Sequence, residues 1–182
     1  MNIKVFGCPG VKRELYLLAA LSQNDVDIEI VSPETDAEQL QQKINCALCE
    51  MVVLAFGQRR LSGLCSGNRQ LIAPKAHNCA HLLLGSTERY HRIFSENDDS
   101  PLWLNCGDCS LAGKNGAKCV VRTSTLDHAL PDIGNGVREY TSDLSLLKSL
   151  LDLTFDDSQA IIIPKNSRIT TDPVDIIAFE PL

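Results

Sequence analysis

An α/β protein on a mostly parallel sheet flanked by helices, Rossmann-like or flavodoxin-like in three layers, is what the sequence predicts, and two observations predict it. Short apolar runs alternate along most of the chain with longer runs of helical period. The apolar runs are also nearly continuous rather than apolar-polar alternating, which is the pattern of strands covered on both faces.

The elements follow in order. "NIKVF" (2–6) reads as a buried strand, and "VKRELYLLAALSQ" (11–23) as an amphipathic helix with Leu15, Leu18, Ala19 and Leu21 on one face. "VDIEIV" (26–31) is a second strand. Pro33 and Asp36 open a helix through "AEQLQQKINCALC", and "MVVLAF" (51–56) is a third, wholly apolar strand. A glycine-rich loop, "GQRRLSGLCSGN", leads to the strand "QLIA", a turn with Pro74 and His77, and a helix from Asn78 onward. Ser86, Arg89 and Tyr90 begin another helix. Residues 97–136 are rich in Asp, Asn, Gly and Ser, with only "PLWLN" and "AKCVV" looking ordered, and read as an irregular, cysteine-containing insertion in a single domain of residues 1–182. A helix over "TSDLSLLKSLLDL", with Ser142 as its N-cap, and strands at "QAIIIP" (159–164) and "DIIAF" (175–179) complete the chain.

At 182 residues the chain is long enough for a substantial core. Its net charge of −6 comes without a basic stripe to neutralise phosphates, which argues against nucleic acid as a partner. No run approaches the roughly 20 apolar residues that span a bilayer, and the first strand is too short and too early for a signal peptide. The expectation is a cytoplasmic protein that does not enter membranes.

That location governs the reading of eight cysteines, at 8, 46, 49, 65, 79, 106, 109 and 119. In a reducing compartment, metal binding, catalysis or plain burial outrank structural disulfides. Ligands of α/β sheets gather beyond the carboxyl ends of the strands. Cys8 follows the first strand in "FGCPG", where Gly7 and Gly10 let backbone approach a bound group. Cys65 follows the third strand, and His77 and Cys79 follow the fourth. Cys8, Cys65, His77 and Cys79 are therefore the expected metal site, for zinc or, through the thiols, an iron–sulfur cluster. Cys79 falls in the first turn of a helix, which favours its thiolate, and Glu14 is a candidate general base near the thiols.

A weaker second site lies in the insertion, where "CGDCSLAGKNGAKC" offers Cys106, Cys109 and Cys119, with His128 a conceivable fourth ligand. Cys46 and Cys49, three apart on the predicted helix, read as core beside Ile44, Leu48 and Met51. Arg59 and Arg60 read as a solvated pair, with anion binding beside Cys65 as the alternative. His81, four after His77, reads as a core or surface histidine. The chain lacks a phosphate loop and a dinucleotide fingerprint.

"GCPGVKREL", "GLCSGNRQLIAPKAHNCAHLLLGSTERY" and "LLKSLLDLTFDDSQAIIIP", in that order, resemble the family catalogued as domain of unknown function 1638. The family's pattern falls on Cys8, Glu14, Cys65, Gly67, His77, Cys79 and Gly85, and adds Gly67 to the glycines expected near a bound group. Where the family usually has an acid before the second cysteine of the middle motif, this chain has Asn78. The resemblance implies an anaerobe's protein found beside corrinoid-dependent methyltransferase systems, with a corrinoid protein or methyltransferase as partner and no assigned reaction.

Three functions stay open at this point. One is a metal- or cluster-bearing protein serving corrinoid or one-carbon methyl transfer. Another is a metal-free thiol enzyme with Cys79 as nucleophile, Cys8 or Cys65 as resolving thiol and His77 as base. The third is a structural or interaction protein whose cysteines are merely buried.

Overall fold

A computed structural model describes residues 1–32, 34–96, 102–104, 119–122, 138–171 and 177–182. In the first half strand alternates with helix as far as β3, after which two strands and two helices follow in turn: β1 (Asn2–Gly7), α1 (Lys12–Leu21), β2 (Asp25–Ile30), α2 (Ala37–Cys46), β3 (Met51–Ala55), β4 (Gln70–Pro74), α3 (Cys79–Leu84) and α4 (Thr87–Glu96). Then come β5 (Leu102–Leu104), β6 (Cys119–Arg122), β7 (Arg138–Thr141), α5 (Ser145–Asp152), β8 (Ala160–Ile163), β9 (Ser167–Thr171) and β10 (Ile177–Pro181).

Five strands form the main sheet in the order β2-β1-β3-β4-β8. The first four run parallel, and β8 joins β4 antiparallel, so the sheet is mixed and mostly parallel, as the apolar strands predict. Val5, Val52, Val53, Leu54, Leu71 and Ile72 on its strands have no exposed surface, and they form one core with Leu15, Leu40, Ile44, Leu147 and Leu150 from the helices. Helix α1 packs on α5, and their ends are tied where Ser22 Oγ donates to Asp152 Oδ1 at 2.9 Å and Asn24 Nδ2 to the Leu151 carbonyl at 2.8 Å. No helix among the described residues is long and apolar enough to cross a membrane.

Local signals account for the helix starts. Asp36 caps α2 by accepting from Gln39 N at 2.8 Å, while the Gln39 side chain accepts from Asp36 N, a reciprocal capping box. Asn78 caps α3 by a single bond, its Oδ1 accepting from His81 N at 3.0 Å. Gly85 ends α3 in the left-handed region at φ 79°.

The structure corrects several expectations. Ser142 does not cap α5: the helix begins at Ser145, two residues later than the sequence pattern suggests, with Leu144 at its N-cap and Asp143 Oδ1 accepting from Ser145 N at 2.9 Å. Leu21 is exposed at the end of α1, and Glu14 takes the buried place on that face beside Leu15 and Leu18. Helix α2 stops at Cys46 so that the chain can turn into β3; Cys46 is therefore exposed, Cys49 lies beyond the helix, and Leu48 between them is fully in solvent. The two runs of the insertion that look ordered in the sequence do form strands, β5 and β6, which pair in parallel with each other, and β6 pairs in parallel with β7. This small sheet lies beside α3. Strand β9, absent from the sequence reading, forms an antiparallel pair with β10.

Candidate functional site

The loops that follow β1, β3 and β4 share one edge of the main sheet because those strands are parallel and adjacent. Cys8 opens the turn after β1, is almost wholly buried, and accepts from Val11 N at 3.1 Å through its carbonyl. Cys79 is the first residue of α3, five residues beyond β4. The two are paired sulfur to sulfur across 71 residues of sequence, with their α-carbons 7.3 Å apart.

Strand β3 lies between the two that carry this pair, so its own loop emerges between them. Gln58 N donates to the Ala76 carbonyl at 2.7 Å, and Gly57 presses on the next two residues: a Cβ at Gly57 would stand 2.6 Å from the His77 carbonyl oxygen. The Cys79 loop is thus held against the β3 loop by main-chain contact.

On the other side of that loop four rings gather. His77 packs on Tyr90 with centroids 4.9 Å apart and on His81 at 5.3 Å, His81 stacks on Tyr90 at 4.6 Å, and His91 meets His77 edge-on at 5.2 Å. His81 is 1% exposed and accepts from His77 N through Nδ1 at 3.1 Å. Burial pushes its pKa down to about 3, aided by the neighbouring His77 and His91, so the ring stays neutral. The Asn78 amide reaches the Tyr90 hydroxyl at 3.2 Å, which ties α3 to α4.

Cys65 sits elsewhere. Residues 56–69 must travel from the carboxyl end of β3 back to the amino end of β4, and Cys65 lies well along that return. Its N–H donates to Gln41 Oε1 at 2.7 Å, its carbonyl accepts from Gln41 Nε2 at 3.0 Å, and its backbone forms a bridge with Arg168. The block around it is pinned to β9. Gly63 N donates to the Ile169 carbonyl at 2.9 Å, Ile169 N to the Leu64 carbonyl at 2.8 Å, and buried Ser66 donates to the Pro164 carbonyl at 2.7 Å while accepting from Ser167 N at 2.8 Å.

Among the expected metal ligands the structure joins Cys8 with Cys79, puts His77 in the ring cluster one turn away, and leaves Cys65 on the crossover. Among the described residues no three of His, Cys, Asp or Glu are placed to hold one metal ion. Cys106, Cys109 and His128 lie outside the described residues, and Cys119 is placed only as the start of β6.

The glycines divide in the same way. Gly7 ends β1 where Leu15 of α1 closes on it, and Gly10 stands in the turn after Cys8. Gly67, at φ 58°, lies near the amino end of β4, its carbonyl accepting from Asn166 N at 2.6 Å. Arg60 is not a free cation: it donates to the Ser32 carbonyl at 3.0 Å and the Thr35 carbonyl at 3.1 Å and lies 4.8 Å over the Phe56 ring. Gln58, which the sequence reading passed over, lies three residues beyond β3 in a short helical turn like the one that follows Cys8 after β1, and position after a strand is the signal that points to it.

No curated protein and no solved structure matches the chain. A family model described as a protein of unknown function, DUF1638, matches residues 31–131, a span that takes in Cys65, Gly67, His77, Cys79 and Gly85 and begins after Cys8 and Glu14. The chain belongs to the DUF1638 family.

Proposed function

We propose that the protein acts through Cys8 and Cys79 as a paired-thiol centre that exchanges electrons with a sulfur compound. The observation that carries this reading is the meeting of two cysteines 71 residues apart on the carboxyl edge of the sheet. We read the strand order, with β8 reversed, as flavodoxin-like, an arrangement in which ligands sit at the β1/β3 switch point. On that reading Cys8 stands at the switch point.

The chemistry balances without a metal. The Cys79 thiolate attacks one sulfur of a substrate disulfide, forms a mixed disulfide and expels the first substrate thiolate. The Cys8 thiolate then attacks the Cys79 sulfur, expels the second thiolate and forms the Cys8–Cys79 bond. The substrate gains the electron pair and both protons that the protein thiols give up, with His77 as the base, since His81, equally near in sequence to Cys79, is buried with its pKa pushed down to about 3. An external dithiol reverses the protein's oxidation. In a reducing cytoplasm, where we place the protein, such a bond is transient and catalytic rather than structural.

A second reading, zinc or an iron–sulfur cluster serving corrinoid-linked methyl transfer, is favoured by the 7.3 Å between the α-carbons. That span is wider than the roughly 4.4–6.8 Å across which most disulfides close. Zinc would hold both sulfurs as thiolates, the form that accepts a methyl group. With only two protein sulfurs brought together, its other ligands would come from the bound molecule.

The two readings separate on anaerobically purified protein. The thiol reading expects a Cys8–Cys79 linkage in the peptide map after mild oxidation, reversed by dithiothreitol and absent from Cys79→Ser, with no metal retained through desalting. Near-stoichiometric zinc or iron, lost in both Cys8→Ser and Cys79→Ser, would overturn it in favour of the metal.

A further inference from the structure

The outward side of α1 is built unlike that of the other helices. With about 100° of turn per residue, Tyr16, Ala20, Leu17 and Leu21 fall within an arc of about 140° that points away from buried Glu14, Leu15 and Leu18. Tyr16 is 51% exposed, Leu17 40% and Leu21 69%, and Ala20 among them is exposed as well. The same position on α2 carries Glu38, Gln42, Lys43 and Asn45, and on α5 the exposed residues are Ser145 and Lys148. A surface helix ordinarily turns polar side chains to water, and a contiguous apolar stripe there marks a surface that another molecule covers.

The charges at the two ends of the stripe identify that molecule. Exposed Lys12 and Arg13 begin α1, where the positive end of the helix dipole disfavours cations. Exposed Asp25 stands four residues beyond Leu21, past the negative end of the same helix. None of the ion pairs among the described residues uses any of the three. A second α1 laid antiparallel, about a two-fold axis between residues 18 and 19, satisfies both ends. In that register Tyr16 faces Leu21 of the second copy, and Leu17 faces Ala20, whose small side chain leaves room for it. Lys12 and Arg13 then reach the carboxyl end of the second helix, beside its Asp25, where both the dipole and the acid favour them. A parallel pairing would instead set the two cations against their own counterparts. We propose that the outward face of α1 is the contact of an antiparallel two-fold dimer of this chain. Such a contact closes on itself and stops at two copies. It is independent of the thiol chemistry. One helix face covers less than the roughly 1,200 Å² of a standard interface, so the dimer is a transient one, with a dissociation constant on the order of 100 μM.

The test is sedimentation velocity of the full chain, with dithiothreitol present so that exposed Cys46 cannot link copies. The parent is expected to run as monomer at about 5 μM and chiefly as dimer at about 1 mM. Leu17→Glu should remain monomeric at the higher concentration. Lys12→Glu and Asp25→Lys should each weaken the dimer about fivefold or more, since each turns two symmetric attractions into repulsions, and the double variant should return to within about threefold of the parent. The charge exchange lies on exposed positions and reads the register itself, so it decides the matter even if Leu17→Glu fails to fold. A parent that stays monomeric at 1 mM, a dimer that survives Leu17→Glu, or a double variant no tighter than the single ones would overturn the proposal. So would a monomeric parent that cosediments with vesicles of phosphatidylserine and phosphatidylcholine and loses that binding in Leu17→Glu, because the face would then meet a lipid surface and not a second copy.

Discussion

Gly57 stands directly against His77: a Cβ built on it would lie 2.6 Å from the His77 carbonyl oxygen and 2.6 Å from the Asn78 α-carbon. Both obstacles are backbone and cannot rotate aside. Gly57→Ala should therefore destabilise the fold by about 1–3 kcal/mol in urea denaturation, the range for forcing extra atoms into packed space. It should also slow formation of the Cys8–Cys79 linkage, because the loop it displaces is the one that presents Cys79. A variant that links at the parental rate would show that the β3 loop does not position the thiol.

His81 makes stability depend on pH in a defined direction. Its folded pKa is about 3 against 6.5 when free, so the unfolded chain takes up a proton that the folded chain refuses. The stability is complete above pH 6.5 and is lost as pH falls from there toward about 3. His77 and Tyr90 face the ring from the Cys79 turn and α4, and after burial the neighbouring His77 and His91 help to hold its pKa down. In His81→Phe the decline of melting temperature across that window should be shallower than in the parent; equal slopes would remove His81 as a source of acid lability.

Cys46 and Ser66 should behave oppositely to what their chemistry alone suggests. Cys46 is exposed, so Cys46→Ser should change unfolding free energy by no more than about 0.5 kcal/mol. Ser66 is buried and its hydroxyl joins the crossover to residues 164 and 167. Ser66→Ala leaves Ser167 N and the Pro164 carbonyl short of a partner and should cost roughly 1–3 kcal/mol. Equilibrium denaturation of the two variants side by side tests the placement of the crossover.

The capping box at α2 gives a local test. Asp36→Ala removes the acceptor for Gln39 N and should lower stability by about 1 kcal/mol, while Asp36→Ser should recover most of it. Loss in both variants to the same degree would mean that the carboxylate acts through charge and not as a cap.

The strands and helices of the first half are legible in the sequence because each carries its own signal: an unbroken apolar run, a helical period, an Asp36 or Asn78 at the right offset. What is not legible depends on where the chain goes between them. Cys65 follows β3 in sequence, as Cys8 follows β1, but the longer crossover returns it toward the far edge, and its partners there are Gln41 and Arg168. Nothing local announces that β9 will pair with that crossover, or that β8 will enter the sheet reversed, since both are decided by residues about 100 positions away, as in the Ser66–Ser167 contact. The meeting of Cys8 with Cys79 follows from β1 and β4 flanking β3 in parallel, whereas the burial of Glu14 and the exposure of Cys46 turn on where α1 faces and where α2 ends. The sequence period does not resolve either within one turn.

The two margins of the main sheet bear on how copies of this chain meet one another in concentrated solution. A strand at a margin is a template on which another chain can grow, and growth of that kind ends in fibres. At one margin, β2 sets Asp25, Asp27 and Glu29 at alternate positions, so a second β2 laid alongside would bring like charges together. At the other, β8 is only four residues long and runs into Pro164, which has no N–H to offer a newcomer. The apolar strands between them are thereby kept from acting as seeds, and the protein can carry a continuous hydrophobic interior without recruiting its neighbours to it.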